Sequence, residues 1–425
     1  MKVLVIGGGA REHALGWKLA QSTKVQSLFF CPGNAGTAEI GTNISIDMMD
    51  NNKLVKFALS NLINLTIVGP DDVLASGIVD VFRDAQLKIF GPDKFATQIE
   101  SSKAFSKKMM KKLDIPTAKF ATFADYDSAL RYCEGHDLPV VIKASGLAKG
   151  KGVVICHSRN DIQKALRSMM IDKIFGEAGC RVVIEEFLVG YELSVHALSD
   201  GKDVVMFPIS QDNKPILDDD KGPNTGGMGS VAPVEILDQE QMKFVQKRII
   251  QPVIDEFRRL EHPFIGCLYP GLMVTPKGIQ VIEFNARFGD PECQSYMRLL
   301  ESDLFELIES CTSGNLSTQV VRWSEKKAIC VVMASGGYPG DYRMNKEVVG
   351  LDTTVRSDII VFQAGTKKSQ GKVVTNGGRV LSITVTGEEV SMARERAYAV
   401  IGKIKFNGMH YRTDIGLLKK SMTNF

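Results

Sequence analysis

The sequence predicts a multidomain chain of mixed α/β and α+β class, with an N-terminal parallel sheet, a large antiparallel middle region and a small C-terminal α+β unit. Three observations carry this. Over residues 1–100, short apolar runs alternate with helical stretches, the pattern of a parallel sheet with crossover helices. From about 101 the texture shifts to successive strand-like runs joined by glycine turns. After Trp323, the runs "KAICVVMAS" and "RVLSITVTG" and a helix over 388–405 describe a compact last unit. The expected division is 1–100, 101–325 and 326–425, and 425 residues suit about three domains.

Taken in order, "KVLVI" (2–6) is a buried strand that passes through a glycine turn into a helix from Arg11. "SLFFC" (27–31) is a strand ending in the turn "PGNAG" (32–36), and "LTIVG" (65–69) and "LKIFG" (87–91) flank the helical "LASGIVDVFRDA". "SSKAFSKKMMKKL" is a helix capped by serine and stopped before Pro116. Its lysines read as a solvated face with room for one exception, and Met109-Met110 as core. "RVVIEEFLVGYELSVHALSDGKDVVMFPIS" reads as antiparallel strands with an "SDG" turn. Residues 211–233, rich in Gly, Pro and Asp and without periodicity, are expected to form a long functional loop. A helix near 239–260 and the strand pair "LYPGLMVT" and "GIQVIEFNARFG" complete the middle region.

Composition narrows the function classes. With 44% hydrophobic and 24% charged residues, the chain has an ordinary globular composition. A net charge of +3 is too mild for a nucleic-acid surface, and no apolar run reaches a membrane span. The opening "MKVLVIGGGA" enters a strand directly and is not a signal peptide. Eight cysteines without a C-x-x-C pair fit buried thiols in a reducing cytoplasm. A cytoplasmic location is expected, with no nucleic-acid and no membrane partner.

The stretch "VVIKASGLAKGKGVVI" (140–155) sets three glycines and three lysines between two β-branched runs. It is no nucleotide P-loop, because Gly146 and Gly150 enclose three residues and Gly152 follows Lys151 where a hydroxyl belongs. It reads instead as a flexible flap between two strands, able to close over nucleotide phosphates. "VIEFNARFGDPE" (281–292) is the most chemically loaded segment. Strand alternation puts Val281, Glu283, Asn285 and Arg287 on one face and Ile282, Phe284 and Ala286 on the apolar other. One carboxylate plus one amide oxygen suits Mg²⁺ shared with substrate phosphates, and Arg287 has the fork that binds a carboxylate or phosphate. In "VIEEFL" (183–188) the backbone can read an adenine edge, and Glu192 can reach ribose hydroxyls.

"VIGGGAREHA" fails the dinucleotide spacing, since Gly7 and Gly9 match but Glu12 holds the third glycine position. The turn is either a site for a lone phosphate at a helix N-terminus or a strand–helix turn with no ligand. His13 is expected to cap or pack, and "DDD" (218–220) to be a solvated hinge more than a second metal site.

A series of motifs runs in one order from end to end: "AREHA", "PGNAGT", "TIVGP", "SKAF", "IPTA", "VIK", "GLA.GKGV", "VIEEFL.G", "SQD", "GPNTGGMG", "VIEFN.RFGDPE", "GGYPGDY", "AGTK" and "VTNGGRVL". In these the chain resembles the phosphoribosylamine–glycine ligase family of the ATP-grasp superfamily, which clamps ATP between two antiparallel sheets. The resemblance implies an ATP-grasp fold at 101–325 with a lid at about 122–190, a pre-ATP-grasp domain at 1–100, and a C-terminal α+β domain. It implies ATP with Mg²⁺ (or Mn²⁺), and the substrates glycine and 5-phosphoribosylamine, joined through an acyl phosphate. Lys103, Lys143 and Lys151 then face the nucleotide phosphates, Glu185, Glu186, Leu188 and Glu192 the base and ribose, and Asn224 the nucleotide. Glu283 and Asn285 hold the metal, and Arg287 and Asp212 meet glycine, with Lys143 sharing in catalysis. Gly7, Gly9, Gly33 and Asn34 fall to the phosphoribosyl group, and Asp71 to the substrate site. A monomer or weak homo-oligomer is expected.

The chain departs from the family pattern at Ser145 (for "IKADGLA"), Asn213 and Pro215 (for "SQDHKR"), Asp71 (for "GPE"), Ala10 (for "GGREHA"), Pro270 (for "LYAGLM") and Gln363 (for "FHAGTK"). Several of these are expected in or near the active centre. Losing a charge-assisted arginine contact at 215 costs about 1.5–3 kcal/mol unless another group, such as Lys149, replaces it. A diverged ligase for another amino acid or amine, and a non-catalytic nucleotide-binding relative, therefore stand as alternatives.

Overall fold

A computed structural model describes residues 1–148, 150–354 and 358–417. The N-terminal sheet is parallel, its strands lying in the order Thr42–Asn43, Ser27–Pro32, Lys2–Gly7, Leu65–Val68, Ile89–Phe90. The first strand is apolar throughout because both of its faces are covered. Val3 and Val5 pack with Leu15 and Tyr296 on one side, and Leu4 and Ile6 pack with Leu54 and Phe82 on the other. Strand order reverses between Lys2–Gly7 and Leu65–Val68, so a crevice opens at their carboxyl ends.

Glu12 fills that crevice. Its Oε2 accepts the Gly9 amide at 2.7 Å and its Oε1 the Arg11 Nε at 2.7 Å. Any Cβ on Gly7, where φ is +125°, or on Gly69 would strike the Glu12 carboxylate arm. The helix Ala10–Leu19 thus carries its own anion at its N-terminus, so the Gly7–Gly9 turn is already satisfied from within.

Two antiparallel sheets follow. The first orders Phe120–Phe123, Val182–Glu186, Val140–Ala144 and Val153–Cys156, with the glycine flap joining the last two. Helices Tyr126–Glu134 and Arg159–Leu166 cover it through Ala129, Cys133, Ile162 and Leu166. The second is built on the strand Ile265–Thr275, which pairs with Tyr191–Ser194 and Ala197–Asp200 on one edge and Gly278–Asn285 on the other.

Here the simple alternation expected for 281–287 gives way. Gly271 pairs with Glu283 but Leu272 pairs with Val281, leaving Ile282 as an extra residue in a bulge. Val281 therefore joins Phe284 and Ala286 in the core, while Ile282 stays with the polar face. Arg287 lies beyond the end of the strand.

The expected loop at 211–233 is also different. Gln211–Asp212 and Gly229–Ala232 extend the last sheet, whose order continues through Lys327–Ala334, Arg379–Gly387 and Ile359–Gln363. Between them Pro215–Leu217 and Lys221–Asn224 form a hairpin. Its "DDD" turn is docked: Asp218 accepts from the Thr413 amide at 2.8 Å, and Asp220 pairs with the fully buried Arg412 at 3.0 Å. Short strands made of Gly, Asp and Pro have no apolar alternation, so tertiary pairing alone defines them. No described helix is long and apolar enough to cross a membrane.

His13 ties the first helix to this last sheet. It is buried edge-on against Phe362, and its Nδ1 accepts the Gln363 amide at 2.9 Å. Burial lowers its pKa to about 4, with the Gln363 contact opposing. The neutral ring is thus favoured by folding, so its contribution is complete above the unfolded pKa near 6.5 and is lost as pH falls toward 4. Urea titrations from pH 7 to 4 should show about 3 kcal/mol less of this acid destabilisation in His13→Gln than in the parent.

Candidate active site

A cleft of about 670 Å³ runs between the two antiparallel sheets and is closed at one end by the C-terminal unit. Its walls include Lys103, Lys143 and Lys151, Glu185, Glu186, Leu188 and Glu192, Asp71, Asp212 and Asn224, and Glu283, Asn285 and Arg287. The flap supplies the upper wall and the bulged strand the lower. Gly7, Gly9, Gly33 and Asn34 are not brought into it. Gly9 lies next to it, since a Cβ there would approach the Asp290 carboxylate at 3.5 Å. Asn34 is already bound: its amide nitrogen donates to Gly8 O (3.0 Å) and Gln363 O (2.7 Å), and its oxygen accepts from the amides of Gly36 and Thr37.

Lys143, on the flap's first strand, reaches Glu185 Oε2 at 2.9 Å and lies 3.5 Å from Ile282 O, spanning both sheets. Lys107 meets the same carboxylate oxygen at 3.3 Å and donates to Thr117 Oγ1 at 2.6 Å. It is 2% exposed, and burial brings its pKa down to about 8, against the opposing pull of Glu185. Glu185 Oε1 is buried without a hydrogen-bond partner. Glu186, also on the cleft wall, accepts the Lys119 amide at 3.0 Å.

On the lower wall, Lys214 pairs with Glu192 and stands 3.7 Å from Glu283. Burial would raise the Glu283 pKa, but Lys214, Lys103, Lys143 and Arg287 together outweigh it and hold the carboxyl at about 2. Glu283 is therefore an anion with no fixed donor nearer than Lys214, and the Asn285 oxygen has only a long 3.4 Å contact from Arg287. These two hard, uncommitted oxygens suit a divalent cation that takes its remaining ligands from phosphate and water. Among the described residues no group of three His, Cys, Asp or Glu could hold an ion unaided.

Asp212 and Arg287 also carry unsatisfied atoms. Asp212 Oδ1 and Arg287 Nε are buried without a partner. Burial and the neighbouring Glu292 push the Asp212 pKa well up, with Lys214 opposing. Glu292 is itself anchored, accepting from Tyr269 OH at 2.7 Å and Ser194 Oγ at 3.1 Å. Arg379, from the C-terminal unit, grips Gly226 O, Gly227 O and Asp290 O and pairs with Asp290 Oδ2 at 2.9 Å. The Gly226 amide donates to Tyr338 OH at 3.1 Å. The glycine-rich segment after Asn224 is thereby held to the cleft wall.

Five of these residues escaped the sequence reading. Lys107 sits one helical turn from Lys103 and shares its face, a spacing that could have exposed it. Lys214, Glu292 and Arg379 stood inside recognised motifs without a role. Glu100, whose carboxylate pairs with Arg287 Nη2 at 2.8 Å, had no signal at all. The departures from the family pattern also lie differently than expected. Asp71 lines the cleft, whereas Ala10, Ser145, Asn213, Pro215, Pro270 and Gln363 do not. Ser145 Oγ accepts the Ala104 amide at 3.2 Å, and Gln363 O and N hold Asn34 and His13. Lys149 is outside the described residues.

Comparison with known proteins finds matches along nearly the whole chain. Sequence models of phosphoribosylglycinamide synthetase match as the N domain at 1–100, the ATP-grasp (A) domain at 101–293 and the C domain at 328–418. A phosphoribosylamine–glycine ligase of Rhodopirellula baltica is 44% identical, covering 97% of this chain and 96% of the relative. One from Caldanaerobacter subterraneus subsp. tengcongensis is 45% identical, covering 98% and 99%. The crystal structure of phosphoribosylamine–glycine ligase from Thermotoga maritima superposes with a TM-score of 0.86 at 32% identity, over 98% of this chain and 100% of that one. The chain belongs to the phosphoribosylglycinamide synthetase family, built on an ATP-grasp domain.

Proposed function

We propose that this chain is an ATP-dependent carboxylate–amine ligase that joins glycine to 5-phosphoribosylamine, giving glycinamide ribonucleotide, ADP and phosphate in purine synthesis. The observation that carries the reading is the cleft in which Lys143 and the glycine flap face Glu283 and Asn285. Relatives named for this activity match from end to end.

In this reading Lys103, Lys143 and Lys151 neutralise the triphosphate, and the flap excludes water from it. Glu186, Leu188 and Glu192 border the base and ribose, and Glu185 fixes Lys143 from behind. Glu283 and Asn285 would hold Mg²⁺ or Mn²⁺, whose charge offsets that building on the phosphates. Phosphoryl transfer asks mainly for such positioning and charge. Arg287 orients the glycine carboxylate, one oxygen of which attacks the γ-phosphorus as ADP leaves, forming an acyl phosphate. The phosphoribosylamine nitrogen then attacks the acyl carbon, the C–O bond to phosphate breaks, and the departing phosphate takes the amine proton, with Asp212 on the glycine side of the cleft. The phosphoribosyl group goes to the side of the cleft beside Gly7, Gly9, Gly33, Asn34 and Asp71, and a phosphate there would have to displace the Glu12 carboxylate from the Gly9 amide.

The division into 1–100, 101–325 with a lid at about 122–190, and 326–425 goes with this reading, as does a cytoplasmic monomer or weak homo-oligomer. The two strands drawn from 211–232 belong by pairing to the last sheet, and 418–425 are outside the described residues. The test of the reaction is ADP release with glycine plus phosphoribosylamine against a panel of other amino acids. Turnover with glycine alone among them supports the reading, and turnover with another amino acid but not glycine refutes it.

The hairpin bearing Pro215 makes a second prediction. Pro215 pairs with Asn224, so the two side chains share a face, and Asn224 lines the cleft. An arginine at 215 would lie alongside the nucleotide. Pro215→Arg should lower the ATP KM by at least about threefold, and steady-state kinetics at saturating glycine measures it.

A further inference from the structure

We infer that Glu100 is the positioning residue of the amino-acid subsite, holding Arg287 in the orientation that binds the substrate carboxylate. The inference rests on the reading that Arg287 meets glycine. Glu100 belongs to the short helix Gln98–Ser101, just ahead of the lysine-bearing helix Lys103–Lys112, and is 7% exposed. One carboxylate oxygen pairs with Arg287 Nη2 at 2.8 Å, and the other accepts the amide of the preceding residue, Ala286, at 2.7 Å. A single carboxylate thus grips both the guanidinium and the backbone that carries it. The remaining Arg287 contacts are long, 3.3 Å to Phe288 O and 3.4 Å to Asn285 Oδ1, and Nε has no partner. Without Glu100, five buried donors would share two weak acceptors and the fork would turn. With it, Nη2 is fixed from behind while Arg287 lines the cleft. Desolvation raises the Glu100 pKa to about 6, with Arg287 opposing, so it is an anion near neutrality.

The test is a kinetic cycle on the full chain with Glu100→Gln, Arg287→Met and the double variant, measuring KM for glycine and for ATP separately. Glu100→Gln should raise the glycine KM about tenfold or more, leave the ATP KM within about twofold, and add nothing in the Arg287→Met background. An effect of Glu100→Gln that persists in full without Arg287, or that raises both KM values alike, overturns the inference and leaves Glu100 a structural residue. An unchanged glycine KM in Glu100→Gln, beside a raised one in Arg287→Met, overturns the inference alone. An unchanged glycine KM in Arg287→Met overturns both the inference and the reading of Arg287. Should Glu100→Gln fail to fold, Glu100→Asp decides by the same KM split, its unchanged glycine KM counting against the inference.

Discussion

Glu283→Gln should bind nucleotide normally yet lose about 10²–10³-fold in kcat. The substitution keeps the size and one oxygen but removes the charge. In the parent that charge is secure, because Lys214, Lys103, Lys143 and Arg287 hold the carboxyl at about 2 despite burial. It therefore stays ionised across any working pH, and its loss cannot be recovered by raising pH. The Lys214 ammonium, 3.7 Å away, would be left with Glu192 as its near partner. Calorimetric ATP titration with and without magnesium, beside steady-state turnover, separates the two effects. Retained kcat would remove Glu283 from the mechanism.

Lys143→Met should lower kcat by a comparable factor, about 10²-fold or more, and also raise the ATP KM. Lys143 is the cation that touches both walls, Glu185 above and Ile282 O below. Its removal leaves Glu185 with Lys107 at 3.3 Å, so the carboxylate is not stranded and the protein should fold. Lys143→Arg restores the charge but brings a wider fork to a site shaped for an ammonium, and should recover only part of the activity. Initial-rate kinetics on the three proteins checks the order parent, Arg, Met.

Much of this architecture was legible because it is written in local pattern. The first strand reads as buried on both faces from its unbroken apolar run, and the flap reads as a hairpin connection from glycines set between β-branched runs. What failed was non-local. A bulge at Ile282 depends on the partner strand, and it reversed the faces expected for Val281 and Ile282. The strands at 211–212 and 229–232 exist because Lys327–Ala334 is there to pair with one of them, which composition cannot announce. The site behaved likewise. Residues in dense motifs, such as Glu283 and Lys143, drew attention through residue type, while Glu100 became visible only through its 2.8 Å contact to a residue far along the chain.

The Gly7–Gly9 turn teaches the same lesson from the other side. Its sequence left a lone phosphate and an empty turn both open, and no sequence pattern announced that the Glu12 carboxylate would accept the Gly9 amide. The changes at Ser145, Asn213, Pro215 and Pro270 were expected near the chemistry but stand off the cleft wall. Distance along the sequence from a motif is a poor guide to distance from the reacting atoms.

In the proposed reaction the flap hairpin and the bulged strand together grip a metal–triphosphate. A crystal structure of the full chain with magnesium and a non-hydrolysable ATP analogue tests it most directly. The triphosphate should lie between Lys143 and Lys151 on one side and Glu283 and Asn285 on the other. A triphosphate bound elsewhere, with both sets of residues untouched, would contradict it.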